Sequence, residues 1–278
     1  MLNEPRVYRH PPYQLVLAIL AFGILAGVFF FSFQEEALWI ILPLGILLVF
    51  LLIFSVFMMT SKTIISDTDI SVQNIFGTKS LTWSEINRVS GRYYGIKLHN
   101  FDGDVTVSPS PQLPGYEEII EWIGAKRPDL FAAEENEPMS RSWFIILVVA
   151  IFVILIVGIA TLSIVQTEQW FLSLFFAFVG AMILFIVAGS PQSIVIEGRS
   201  ILLKYILSQK TLLAGEIESV QLVSQRTRNG KTYHVQLNLP SGKRLRISSL
   251  SPSLPIVYLR LKTWHRKHTG DIVSPARF

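Results

Sequence analysis

Six basic side chains in the last third of the sequence are the residues best suited to binding a charged partner. They lie between Gln225 and Ile247, a stretch without acidic residues: Arg226, Arg228, Lys231, Lys243, Arg244 and Arg246. On paired strands they would form one positive face. Beside anionic lipid headgroups such a face gains about 1 kcal/mol per cation, and it would also attract an acidic protein surface. An ordinary solvated sheet face has the same pattern, so the residues alone leave these alternatives open.

Nucleic acid is a poor match to this basic segment. Tyr233 and His234 are interleaved with the cations, but the segment carries no recognised nucleic-acid-binding motif. We therefore expect a protein partner, with membrane lipids as an additional contact, and no nucleic acid.

Residue patterns that perform catalysis are scarce. The sequence has no G-x-x-x-x-G-K-[ST] loop, no H-E-x-x-H and no G-x-S-x-G. Because cysteine is absent, disulfides, thiolate metal sites and cysteine nucleophiles are excluded. The sequence therefore predicts a protein that is not an enzyme and has no cofactor.

Histidine spacing near the C-terminus gives one weak metal candidate. His265 and His268 are three residues apart, but Arg266 and Lys267 between them oppose a bound cation. A basic helix end is expected instead, and no metal site is predicted. An earlier predicted helix has an acidic face that is expected to be solvated: Glu117, Glu118 and Glu121.

Four long apolar runs dominate the composition, which is 51% hydrophobic and 16% charged with a mean hydropathy of +0.47. They are Tyr13–Phe33, Ala37–Thr60, Trp143–Val165 and Trp170–Gly189. A helix needs roughly 20 apolar residues to cross a bilayer, and only a few polar residues separate the members of each pair. The sequence therefore predicts four transmembrane helices arranged as two hairpins.

Basic residues near the ends of these runs set the expected orientation. These basic residues, which all lie on one side of the predicted membrane, are Arg6, Arg9, Lys62, Arg141 and Arg199. The two tight loops between paired runs contain only acidic charges. By the positive-inside rule this predicts a multi-pass protein of the inner (plasma) membrane with both termini cytoplasmic. Gly23 and Gly27 allow close helix packing, either inside the hairpin or with a second copy in a homo-oligomer.

An internal repeat organises the chain. The first and third apolar runs start 130 residues apart, at Tyr13 and Trp143, and Ser84-Glu85-Ile86 aligns with Gly215-Glu216-Ile217. After each predicted hairpin, short runs with alternating apolar residues predict several strands in meander order. An amphipathic helix then closes each β-rich segment.

The order of strand, turn, strand, Phe-Gly, basic strand and Ser-Glu-Ile at Ile64 to Ile86 resembles bacterial membrane proteins with pleckstrin-homology-like (PH-like) domains. The resemblance implies an α+β membrane protein in which each hairpin is followed by a PH-like β-barrel or sandwich with a C-terminal helix. It also implies a binding or scaffolding module without catalytic residues. The first hairpin turn departs from phosphoinositide-binding PH domains, because Asp67 and Asp69 would repel phosphate.

The resulting domain prediction has seven parts. The first half has a cytoplasmic N-terminal segment (1–12), a hairpin (13–60) and an acidic PH-like domain (61–131). A linker (132–142) leads to the second hairpin (143–189), a basic PH-like domain (190–268) and a tail (269–278). From Thr60 to Ser142 there are 8 basic and 12 acidic residues, and from Ser190 to Phe278 there are 14 and 4. The two predicted domains therefore differ in net charge, −4 against +10.

These observations together predict a membrane-anchored scaffold or adaptor that presents two PH-like domains to a protein partner or to anionic lipid. The alternative is an accessory or assembly subunit of a larger membrane enzyme complex, with the transmembrane helices as its interface.

Overall fold

A computed structural model of the chain divides it into two compact units. Unit 1 comprises Met1–Val89 and Lys97–Ile119, and unit 2 comprises Ser90–Ile96 and Ile120–Phe278. The structure describes residues 4–32, 38–132, 137–141, 151, 153–156, 158, 170–227, 230–248 and 250–270.

The strands of the first half form two antiparallel sheets. The first sheet has the order β1-β2-β3-β4, with strands Arg6–Arg9, Lys62–Ile65, Asp69–Asn74 and Gly77–Thr82. The second has the order β5-β6-β7, with strands Arg88–Ser90, Lys97–His99 and Thr106–Val107. Strand β1 was not expected from the sequence, because four residues before a long helix give too short a pattern to show alternation.

The strands of the second half repeat this arrangement. A four-stranded sheet has the order β11-β10-β9-β8, where β8 to β11 are Met139–Ser140, Ser193–Glu197, Ser200–Lys204 and Gln209–Leu213. A three-stranded sheet has the order β12-β13-β14, with strands Ser219–Thr227, Gly230–Asn238 and Arg244–Ile247. Strands β1 and β8 each pair with a strand far along the chain, β2 and β9 respectively.

Five α-helices have bounds given by the structure. They are α1 Pro12–Ser32, α2 Leu38–Thr60, α3 Tyr116–Lys126, α4 Trp170–Ala188 and α5 Leu254–Thr269. Helices α3 and α5 confirm the predicted helices that follow the two sets of strands. In α3, Glu117 and Glu118 lie in the first turn and Lys126 in the last, which suits the helix dipole. Helix α5 ends at Gly270, which adopts the left-handed conformation typical of a helix C-terminus.

The prediction of four transmembrane helices is contradicted. A membrane span needs a long unbroken apolar helix, and over the residues that the structure describes no helix meets that requirement of length and apolar composition. The membrane and transmembrane assignments, the multi-pass inner-membrane location and the cytoplasmic termini derived from them are corrected accordingly. Most of the third predicted span, Trp143–Val165, lies outside the described residues.

A short capped turn explains why Ser84-Glu85-Ile86 in the first half aligns with Gly215-Glu216-Ile217 in the second. In both, a 3₁₀ helix follows the fourth strand, at Trp83–Glu85 and at Ala214–Glu216. The carboxylate of Glu85 accepts a hydrogen bond from the backbone N–H of Thr82 at 2.8 Å, and Glu216 accepts one from Leu213 at 2.9 Å. The glutamate of each aligned triplet therefore caps the turn.

Helix α5 provides much of the core of unit 2. Its residues Val257 and Leu261 are fully buried, and the indole N–H of Trp264 donates to the carbonyl of Gly198 at 2.7 Å. The backbone N–H of Leu254 donates to the carbonyl of Tyr93 at 2.8 Å, which joins the segment 90–96 to this unit. Burial of such apolar side chains contributes about 25 cal/mol per Å² removed from water.

Candidate protein-interaction surface

The three-stranded sheet of unit 2 has one apolar and one polar face, because successive side chains of a strand point to opposite faces. On β13, Tyr233, Val235 and Leu237 are buried in the core. His234, Gln236 and Asn238 therefore lie together on the other face, which we call the outer face. The sequence analysis did not predict a site at these polar residues, although their alternation with apolar residues indicates that they share one face of a strand.

Hydrogen bonds join the outer-face side chains into a row that we call the polar ladder: His234, Gln236, Asn238 and Ser219. The amide Nε2 of Gln236 donates to Oδ1 of Asn238 at 2.7 Å. The amide Nδ2 of Asn238 donates to the Ser219 hydroxyl at 2.8 Å. Gln236 is only 8% exposed, so its amide is fixed by its surroundings before any partner binds.

His234 sits at one end of the polar ladder as a neutral imidazole at neutral pH. Partial burial is the main cause that lowers its pKa below the usual value, and the positive charge of Arg246 lowers it further. A hydrogen bond with the Gln236 side chain acts in the opposite direction. The ring therefore contributes a hydrogen-bonding group and not a further cation.

Two of the six predicted basic residues flank the polar ladder. The strand register places Arg246 opposite Gln236 and Arg244 opposite Asn238. Both arginines are exposed and lie on the outer face, because Leu245 and Ile247, which alternate with them along β14, point to the core. Lys243 precedes β14 in the turn and is exposed as well. Arg244, Arg246 and Lys243 thus form a positive border along one edge of the sheet.

The other predicted basic residues are not part of this border. Arg226 on β12 lies opposite Lys231 on β13. Lys231 is two residues before the core-facing Tyr233, so it lies on the same face of the strand as Tyr233. Arg226 and Lys231 therefore lie on the opposite face, towards the far end of the hairpin, and the single positive face expected from the sequence is divided between two faces. Arg228 lies outside the described residues.

An open groove of about 530 Å³ runs over three members of the polar ladder, Ser219, Gln236 and Asn238. Its lining residues are Glu218, Ser219, Gln221, Val223, Gln236, Asn238, Leu239, Gly242, Lys243 and Arg244. The groove presents amide and hydroxyl groups together with the cations Lys243 and Arg244, and Glu218 is the single acidic residue among the described residues that line it. Such a surface can pair with the backbone and acidic side chains of an extended segment.

The other residues singled out in the sequence are placed elsewhere. The ring Nε2 of His265 donates to the carbonyl of Ile217 at 2.7 Å, and Nδ1 of His268 donates to the carbonyl of Trp264 at 2.9 Å. Among the described residues, no three His, Asp or Glu side chains come together as metal ligands would. Gly23 and Gly27 lie in α1, and a Cβ atom at either position would have no atom of the described part of the chain within 4 Å.

No protein-family model matches the chain, and no curated protein is significantly similar to it.

Proposed function

We propose that the protein is a non-enzymatic adaptor that binds an acidic protein segment on the outer face of the β12-β13-β14 sheet. The observation that carries the proposal is the polar ladder with its border of Lys243, Arg244 and Arg246. A row of fixed amides offers hydrogen bonds to an extended chain, and the cations favour acidic side chains along it.

The shape of the site favours a macromolecular partner over a small substrate. Sites for small molecules are usually concave and largely apolar. The groove is open and its lining is mainly polar. A protein segment that covers the polar ladder would exclude water from the half-buried Asn238 and so strengthen its hydrogen bonds.

The arrangement of strands supports the PH-like resemblance as part of this proposal. In each half a four-stranded sheet and a three-stranded sheet are followed by a helix, α3 or α5. A fold of this kind hosts many functions, so the proposed function rests on the outer face and not on the fold.

Affinity purification of tagged variants tests the proposal. Arg244→Gln with Arg246→Gln removes two charges beside the polar ladder, and Arg199→Gln with Lys204→Gln removes two exposed charges elsewhere in unit 2. We expect the first pair to lose a partner that the wild type and the control pair retain. Equal retention by all three proteins would exclude the outer face as the interface.

A second candidate function is that of an assembly subunit of a larger complex, and α4 provides the observation that favours it. One face of this helix carries large apolar side chains that are 49% to 80% exposed: Phe171, Leu174, Phe175, Phe178, Met182 and Phe185. Contiguous exposed apolar patches mark interaction sites. Replacing Phe178 and Phe185 with serine should then release the protein from a high-mass assembly on native gels, whereas Arg244→Gln with Arg246→Gln should not.

A further inference from the structure

Three side chains form a cross-strand row at one end of the first sheet of unit 1. Arg9 on β1 lies opposite Lys62 on β2, and Lys62 lies opposite Gln73 on β3. The neighbouring Thr63 is fully buried on the core side, so Lys62 and its two partners lie on the other face of the sheet.

The pairing of Arg9 with Lys62 is unfavourable in the absence of an anion. Like charges directly opposite each other on antiparallel strands destabilise the pair. Neither side chain forms an ion pair with a carboxylate in the part of the chain that the structure describes. An anion bound between the two cations would convert this repulsion into attraction.

A pocket of about 370 Å³ opens beside this row, where β1 leads into α1 and α2 leads into β2. Its polar side contains Arg9, His10, Lys62, Gln73 and Asn74, and none of the described residues that line the pocket is acidic. Oδ1 of Asn74 accepts the backbone N–H of Phe76 at 2.9 Å, which leaves its amide Nδ2 to donate to a ligand. The polar side is therefore rich in donors, as an anion requires.

The remaining lining residues of the pocket are mainly apolar. They are Pro11, Pro12 and Leu15 at the start of α1, Met59 and Thr60 at the end of α2, and Ile75 after β3. Ile19, one turn beyond Leu15 on α1, is 51% exposed and continues the apolar surface away from the pocket. A ligand that fills the site thus needs an anionic head and an apolar body.

We propose that this pocket binds a phosphate monoester attached to an apolar chain. The phosphate would lie between Arg9 and Lys62, with Gln73 and Asn74 as neutral donors, because phosphate offers several strong acceptor oxygens to a ring of donors. The apolar chain would contact Leu15 and Met59 and extend along α1. The site lies in unit 1 and does not involve the outer face of unit 2.

Calorimetric titration of the full chain in a nonionic detergent tests this proposal with three probes. Dihexanoyl phosphatidate carries both head and chain, inorganic phosphate carries only the anion, and dihexanoyl phosphatidylcholine lacks the free phosphate monoester. We expect phosphatidate to bind at least about tenfold more tightly than either other probe. Equal affinity for inorganic phosphate would assign the pocket to a water-soluble anion and overturn the apolar part of the proposal.

Paired variants show whether these two cations are responsible. Arg9→Gln with Lys62→Gln should weaken phosphatidate binding at least about tenfold. Lys79→Gln with Arg88→Gln removes two exposed charges from the same unit and should leave it unchanged. Similar losses in both pairs would overturn the proposal in favour of diffuse charge attraction.

Thermal unfolding provides a check that does not depend on the variants binding ligand. Without ligand, Arg9→Gln with Lys62→Gln should unfold at the same temperature as the wild type or higher, because a repulsion is removed. Phosphatidate should raise the unfolding temperature of the wild type only. The absence of any rise in the wild type would overturn the proposal outright.

Discussion

Glu121 is held by two donors on α5, although its spacing with Glu117 and Glu118 indicates a solvated helix face. The Tyr258 hydroxyl and the Lys262 ammonium both donate to its carboxylate, and Lys262 also donates to the Tyr258 oxygen at 2.9 Å. Burial is the main cause that raises the pKa of Tyr258 and lowers that of Lys262. The sequence could not indicate this network, because Glu121 is separated from both donors by more than 130 residues.

Removing the charge of Glu121 should therefore destabilise unit 2. We expect Glu121→Gln to lower the free energy of unfolding by about 1–3 kcal/mol, because Lys262 is left partly buried without its counter-charge. Chemical denaturation followed by tryptophan fluorescence measures the loss.

Two further variants control this measurement. Glu117→Gln, on the same helix, should change stability by less than about 0.5 kcal/mol. Adding Lys262→Met to Glu121→Gln should recover part of the loss, because the uncompensated cation is then removed. A Glu121→Gln protein as stable as the wild type would show that the carboxylate contributes nothing.

The buried Tyr8 should make unit 1 less stable at alkaline pH. Burial, with the nearby Glu118 charge, raises its pKa from 10.0 to about 12. A raised pKa means that the folded state favours the protonated phenol, so this contribution to stability is complete below pH 10 and is lost as the pH rises towards 12.

Tyr8→Phe should accordingly lose less stability than the wild type between pH 10 and pH 12. Unfolding midpoints measured across that range test the expectation. Tyr13→Phe, at an exposed position of α1, serves as the control and should follow the wild-type curve. Parallel curves for all three proteins would rule out Tyr8 as the source.

At the scale of elements, strand alternation was the most informative part of the sequence. The alternation of Val235 and Leu237 with polar residues predicts a strand with one buried face, and β13 confirms it. The sequence does not give the register between strands, and register decides which cations share a face. Arg244 and Arg246 flank the polar ladder only because β14 pairs with β13 in the observed register, whereas Arg226 lies on the other face.

The packing of α3 on α5 depends on a glycine. A Cβ atom at Gly124 would lie 2.4 Å from Cδ2 of Leu259, which is itself only 2% exposed. Alanine is a better helix former than glycine by about 1 kcal/mol, but overpacking here should outweigh that gain. We expect Gly124→Ala to destabilise the protein by about 1–3 kcal/mol in chemical denaturation.

A double-mutant cycle identifies the clash as the cause. In a Leu259→Ala background the space is free, so Gly124→Ala should be neutral or stabilising. The same penalty in both backgrounds would show that Leu259 is not the obstacle.

At the scale of the whole molecule, the internal repeat could be predicted, whereas the membrane topology predicted from the apolar runs and the basic residues near their ends was wrong. The order of strands and the glutamate-capped turn occur in both halves, as the alignment of Glu85 with Glu216 suggests. No helix among the described residues meets the requirements of a membrane span.

Site-specific photo-crosslinking on the outer face tests the central claim most directly. Gln221 is exposed in the groove opposite Gln236, and Lys204 is exposed on the other sheet of unit 2. With benzoylphenylalanine in place of Gln221, we predict one dominant crosslink to a partner with an acidic segment. That crosslink should weaken at about 0.5 M salt, where the Debye length is only a few ångströms. Equal crosslinking from position 204, or a crosslink from 221 that is insensitive both to salt and to Arg244→Gln with Arg246→Gln, would contradict the account.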